Sequence, residues 1–249
     1  MSFGAIADQY NRLRPSPPPS AIEWLVPDGA KLVVDLAAGT GLLSRAIPAQ
    51  VVAVEPDARM GSVLRANSPG VEVIAGVGEA IPLADGVADA LLISSAWHWL
   101  DPELAVPEIG RVLRDGGRFG LIWTSRDREV EWVRAVDMMR EPPGSDAMPR
   151  APRYRNRDVV LPEDHSFTDI QVASFTFTKL VPVDDFAPMI GTYSRIITAS
   201  DQDRADILAR VRAEIDNLFP GAAEIELPMR SLCWRATRQV RSGTAEQLR

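Results

Sequence analysis

The sequence predicts an α/β protein built on a doubly wound, mostly parallel sheet. Three observations predict it. Five short runs rich in valine, leucine, isoleucine and alanine begin at Leu32, Val51, Val71, Ala90 and Phe119, and they are apolar at consecutive positions, the mark of strands buried on both faces. Segments with helical spacing separate the runs, and such alternation forces parallel strands joined by crossovers. The first run breaks at Gly39-Thr40-Gly41, where strand, glycine turn and helix start would gather free backbone N–H groups at one crevice.

Composition narrows the function classes. A chain of 249 residues suffices for one sizeable domain with or without a small appendage. The net charge of −7 argues against a nucleic-acid-binding surface. Cys233 is the single cysteine, so no internal disulfide forms and it reads as a core residue. The chain shows no signal-peptide pattern and no apolar run of membrane-spanning length, so a cytoplasmic protein without a membrane partner is expected. His98 and His165 lie far apart, which disfavours a histidine-rich metal site.

Taken in order, Phe3 to Leu13 has a helical apolar face of Phe3, Ile6, Tyr10 and Leu13, stopped by Pro15 and Pro17-Pro18-Pro19. Ser20 is placed to cap a helix over Ala21–Leu25. After the strand from Leu32 and its turn, a helical pattern continues through Leu43 and Ile47. Val51–Val54 ends at Glu55-Pro56, and Asp57 opens a helix through Met60, Val63 and Leu64. Strands follow over Val71–Ala75 and Ala90–Ser94. Asp101-Pro102-Glu103 then starts a helix reaching Leu113. Arg114 to Arg118 turns into a strand at Phe119–Trp123, and Val130, Val133, Val136 and Met139 mark a further helix. From Glu141 the chain becomes loop-rich, with Arg150, Arg153, Arg155 and Arg157 forming either a solvated surface or a lure for an anionic substrate. An alternating strand at Phe175, Phe177 and Leu180, helices over Asp184–Ser194 and Gln202–Leu218, and a strand over Ile225–Thr237, interrupted near Pro228, complete seven strands. Three parts are expected: a helical lid (1–30), a ligand-binding core (31–140) and a substrate-side remainder of the same domain (141–249).

The turn separates three ligand classes. A phosphate-cradling loop would close on Gly-Lys-Ser/Thr, yet Gly41 precedes Leu42 and Leu43, and the only lysines are Lys31 and Lys179. A dinucleotide fingerprint needs a third glycine where Ser44 stands. An acid, Asp35, lies ahead of Gly39 and Gly41 instead, which suits a ligand carrying an ammonium group and no pyrophosphate. Asp35 to Gly41 resembles motif I of the class I S-adenosylmethionine-dependent methyltransferases, an acid followed by three alternate glycines. Ala37 occupies the first glycine position, and its one extra methyl should leave the turn intact.

Further stretches carry the same resemblance. Phe3, Ala7, Tyr10, Arg14-Pro15, Pro18 and Trp24 resemble the lid of trans-aconitate-methyltransferase-like enzymes, which implies that Tyr10 and Arg14 close over the cofactor; plain packing and a surface charge are the other reading. Glu55 follows Asp35 by about twenty residues, the offset at which a carboxylate meets ribose hydroxyls. Pro56 lies beside it, and Met60 faces either adenine or core. Gly76 to Leu83 resembles the family's adenine segment, with Gly78 and the backbone of Glu79 at the ligand. Glu108 to Arg118 resembles the family's lead into strand five. The run from Ser94 to Asp101 leaves strand four where cofactor and acceptor should meet, so Ser95 is assigned to the cofactor and Trp97 and His98 to the acceptor. His98 is either a cleft-facing candidate base or a packed histidine. Trp123, Tyr193 and Arg195 are expected at the acceptor, the last two by analogy with the family's substrate-side helix.

The resemblance implies a Rossmann-like, seven-stranded sheet with helices on both faces and an antiparallel strand at its C-terminal edge. It also implies S-adenosyl-L-methionine as cofactor and methyl transfer to a small-molecule acceptor by in-line displacement. Two alternatives stand beside it: a non-catalytic S-adenosylmethionine-binding regulator, and a nicotinamide oxidoreductase, disfavoured by the missing third glycine and the lack of a Tyr-x-x-x-Lys pair. No nucleic acid, membrane or metal is expected, and the sequence is silent on oligomeric state and on the acceptor's identity.

Overall fold

Each consecutive apolar run becomes a strand, four of them with both faces covered and the third, at the sheet edge, only half-buried. The computed structural model describes residues 7–139 and 159–239, apart from the side chains of Ser194 and Arg195. Strands β1 (Leu32–Leu36), β2 (Gln50–Val54), β3 (Glu72–Ile74), β4 (Ala88–Ser94) and β5 (Leu113–Arg126) are mutually parallel. Strand β7 (Glu224–Arg238) lies antiparallel between β5 and the edge strand β6 (Phe167–Pro182), which gives the order β3-β2-β1-β4-β5-β7-β6. The helices are α1 (Ala7–Leu13), α2 (Pro19–Leu25), α3 (Ala58–Asn67), α4 (Pro102–Val112), α5 (Glu131–Met138), α6 (Val183–Gly191), α7 (Ser194–Ile197) and α8 (Asp201–Leu218).

Neighbouring strand residues serve opposite faces, as the pleat requires. Val34, Leu91 and Leu121 pack with Ile109 of α4, whereas Val33, Leu92 and Ile122 pack with Ile22 and Leu25 of α2. A third cluster fills the space between α6, α8 and the β6–β7 pair, with Phe186, Ile190, Val211, Ile215 and Leu227 at its centre and Leu13 of α1 at its rim.

Several elements depart from expectation. The helix expected through Ile47 is a single 3-10 turn, Ser44–Ala46. Pro48 disfavours helical geometry at the residue before it, and Ile47 is accordingly extended (φ −84°, ψ 121°). Ser20 lies inside α2 rather than capping it; the helix starts on Pro18-Pro19 without a side-chain cap. β5 begins at Leu113, and the expected turn before Phe119 is a bulge within it, where the register passes from Ala88↔Leu113 to Ala90↔Arg118. The expected helix from Asp184 ends at Gly191.

β7 runs unbroken through Pro228. The Pro228 carbonyl accepts from Asp127 N–H, on the side where β5 has just ended at Arg126. In an antiparallel strand the N–H and C=O of one residue face the same neighbour, so the missing proline donor falls opposite the Asp127 carbonyl, which accepts from Val130 N (3.2 Å) instead. Phe3 and the Arg150–Arg157 cluster lie outside the described residues. Among the described residues no helix is long and apolar enough to cross a membrane.

Candidate active site

From β1 the sheet grows one way to β2 and the other way to β4, so a crevice opens beyond their carboxyl ends. The turn after β1 takes left-handed backbone at Ala37 (φ 56°), Gly39 (φ 58°) and Gly41 (φ 81°). A Cβ on Gly39 would meet nothing within 4 Å, so that residue faces open space. A Cβ on Gly41 would stand 2.7 Å from Leu64 of α3, so that glycine is a packing requirement. Ala37 holds the same conformation without glycine's freedom, at a cost of about 1 kcal/mol. Ser95, at the end of β4, is also left-handed (φ 56°), with its N–H donating to the Ile122 carbonyl at 2.9 Å.

Two buried carboxylates underlie this turn. Asp35 is fully buried and accepts from Ser44 Oγ at 2.5 Å through Oδ2, while Oδ1 has no partner among the described residues. Burial pushes its pKa up to about 7, against the pull of the Ser44 hydrogen bonds and with help from the charge of Glu55. Glu55 accepts from Gly39 N at 2.7 Å and from Asp57 N at 2.8 Å, which ties the turn to the start of α3. Burial raises its pKa as well, opposed by those two bonds. The Thr40 hydroxyl is likewise buried without a partner. Neither acid has a cationic partner among the described residues.

Helix α1 bridges this turn to a second cluster. Arg45 donates to the Thr40 carbonyl (2.9 Å) and to Asn11 Oδ1 of α1 (2.7 Å). Just past α1, Arg14 donates to Thr192 Oγ1 (2.9 Å) and to the Thr192 carbonyl (3.0 Å). Its guanidinium carbon lies 3.6 Å from the Tyr193 ring centroid and 4.9 Å from that of Tyr10. Arg126, at the end of β5, approaches the same Tyr193 ring at 4.6 Å. Lys179 of β6 donates to the Leu13 carbonyl (2.9 Å), and burial lowers its pKa.

Comparison with known proteins settles the family. A methyltransferase-domain profile matches residues 34–121, from β1 into β5. An uncharacterized methyltransferase of Mycobacterium tuberculosis is 41% identical over 243 residues, covering 95% of this chain and 96% of its own length. The chain belongs to the class I S-adenosylmethionine-dependent methyltransferases. A methyltransferase-like protein of Schizosaccharomyces pombe is 29% identical over 221 residues, covering 86% of this chain and 83% of its own length. The fold is shared with a structure from Anaeromyxobacter dehalogenans assigned to the type II methyltransferases, with a TM-score of 0.70 and 24% identity, over 90% of this chain and 97% of that one.

Within this methyltransferase the predicted site residues divide into groups. Asp35, Ala37, Gly39, Gly41, Glu55 and Ser95 do meet at the carboxyl ends of β1, β2 and β4. Pro56 is exposed beside them and Met60 is buried in α3. Gly78 is held close by Leu100, whose Cδ2 would stand 2.8 Å from an added Cβ, so the packing already on it accounts for the missing side chain. The Glu79 carboxylate accepts from Asp101 N at 2.9 Å, which fastens the segment expected at the adenine to the start of α4. Tyr10, Arg14 and Tyr193 come together as described.

Trp97 and Trp123, expected at the acceptor, are both buried in the central core, Trp97 against Phe119 at 5.6 Å. His98 is exposed beside Trp99, ring centroids 4.7 Å apart, on the 3-10 turn Trp97–Trp99. Arg195 lies in α7, with its side chain outside the description. Sequence reasoning did not find Arg126 or Lys179. The available signal was a basic residue three positions past the predicted Phe119–Trp123 strand for Arg126 and one within the alternating run for Lys179.

Proposed function

We propose that the protein transfers the methyl group of S-adenosylmethionine to a small-molecule acceptor held between the turn after β1 and the Tyr193 cluster. The observation that carries this reading is an acidic turn joined by one lid helix to a basic cluster at the same edge of the sheet. The turn fits the cofactor. Its two buried carboxylates lack cationic partners, Asp35 Oδ1 and the Thr40 hydroxyl have unused bonding capacity, and the open side of Gly39 admits a close ligand. S-adenosylmethionine, when bound, supplies an electrophilic sulfonium methyl.

The chain's own residues then bind, orient and exclude water. Glu55 would hold the ribose hydroxyls, since each carboxylate oxygen keeps a further lone pair beyond its present bond. Asp35 and the backbone of the turn would meet the polar end of the cofactor. Helix α1, fastened by Arg14 to Thr192 and by Asn11 to Arg45, covers the crevice and keeps the reaction from solvent. A carboxylate acceptor would need no base; a phenol or amine would draw on the exposed His98.

Calorimetric titration with S-adenosylmethionine and S-adenosylhomocysteine, on wild type and Asp35→Ala, tests the cofactor assignment. Micromolar binding to wild type, weakened at least about tenfold in the variant, is expected. Absence of binding to wild type would overturn the reading. Binding without turnover across a broad acceptor screen would favour a non-catalytic regulator.

A further inference from the structure

Arg126 is a buried charge that the fold satisfies only in part. It is 3% exposed, at the end of β5. One Nη donates to Asp137, which also receives Arg128, so a single carboxylate is shared by two guanidinium groups. The Nε and the other Nη of Arg126 have no partner among the described residues. A buried charged donor without an acceptor forfeits its hydration, and such groups persist where something else satisfies them in the working state.

The surroundings deepen the imbalance. Among the described residues Arg14 donates to the neutral Thr192, and it stacks on the Tyr193 ring that Arg126 also approaches. Lys179, on the edge strand β6, donates among the described residues to the Leu13 backbone carbonyl. The nearby Asp185 is already engaged by both of its oxygens with Arg12. Among the described residues cations therefore outnumber anions around Tyr193, on a chain whose overall charge is −7.

We propose that Arg126, with Arg14 and the Tyr193 ring, seats an oxyanionic group of the methyl acceptor, a carboxylate or a phosphate. This rests on the reading of the chain as a methyltransferase with a small acceptor. An oxyanion there takes charge-assisted hydrogen bonds from the unpartnered nitrogens of Arg126 and offsets the surplus charge. The seated group is an anchor rather than the methylated atom, because hydrogen bonding and charge pairing withdraw its lone pairs from attack. Methylation then falls on another nucleophilic atom of the same molecule.

The test is calorimetric titration of succinate, benzoate and inorganic phosphate into the full-length protein saturated with S-adenosylhomocysteine, with succinamide and benzamide as uncharged counterparts. Wild type, Arg126→Lys and Arg14→Gln are compared; Arg14 is only partly buried, so its variant remains informative should Arg126→Lys fail to fold. At least one anion should bind wild type, with at least about tenfold weaker binding in the variants and no heat from the amides. Preference for succinate or benzoate points to carboxylate acceptors, and preference for phosphate to phosphorylated ones; either upholds the seat. The proposal falls if a protein that binds S-adenosylhomocysteine takes none of the three anions, or takes them equally well in every variant. Arginine-dependent anion binding without S-adenosylhomocysteine binding would keep the seat and remove the cofactor reading instead.

Discussion

The turn after β1 and the cluster around Tyr193 face one another across helix α1, and they are built in opposite ways. The turn draws its parts from one stretch of chain, Asp35 to Glu55, and its charge is negative. The Tyr193 cluster draws on α1, β5, β6 and the end of α6, and its charge is positive. A site whose geometry is fixed by backbone can be written locally, because its glycines and strand ends are neighbours in sequence. A site whose character is surplus charge has to be collected from afar, since adjacent like charges on one segment would repel one another.

That contrast can be tested from both sides. The largest effect is expected at Arg126→Met, which breaks the buried pair with Asp137; unfolding in denaturant should show a loss of about 3 kcal/mol. Gly41→Ala should come next, at about 2 kcal/mol, from left-handed strain together with the clash on Leu64. Asp35→Asn should act the other way, gaining about 2 kcal/mol at pH 8 while weakening S-adenosylmethionine binding.

The sign follows from the raised pKa. Folded Asp35 keeps its proton up to about pH 7, whereas the unfolded side chain loses it near pH 4. Wild-type stability should therefore fall as pH rises from about 4 to 7, by up to about 1.4 kcal/mol per pH unit from this group, and level off above. The Asn variant should lack that slope in a pH series of denaturation curves. The smallest effect is expected at Ala37→Gly, a gain of about 0.5 kcal/mol, because relief of strain is partly offset by the freer unfolded chain. A loss at that position would mean that the turn is not strained.

The parallel half of the sheet was legible in the sequence because strands buried on both faces write themselves as unbroken apolar runs. The helix expected through Ile47 satisfied the right periodicity and was cut short by one proline. At Trp97-His98-Trp99 the composition suggested a single aromatic surface, but the 3-10 turn points Trp97 into the core and leaves His98 and Trp99 outside. Pro228 read as an interruption because sequence does not say which neighbour a strand has lost. Tyr193 came from resemblance alone. Arg126 was invisible: nothing local distinguishes an arginine that closes a buried strand from one that begins a solvated loop.

The end of β5 at Arg126 has a mechanical consequence. Beyond that level, Thr178–Pro182 of β6 and Glu224–Pro228 of β7 continue as a two-stranded ribbon, and α6 follows directly from it. Such a ribbon twists more freely than the interior of a broad sheet. The protein is thus a stiff bench carrying a cantilever. In the proposed reading the bench fixes where the cofactor would lie, while the arm, through Lys179 and Tyr193, would set the height of whatever is presented to it. Substitutions along the arm can retune the acceptor without disturbing the bench, and a bend of the ribbon would move the acceptor groups together as one body.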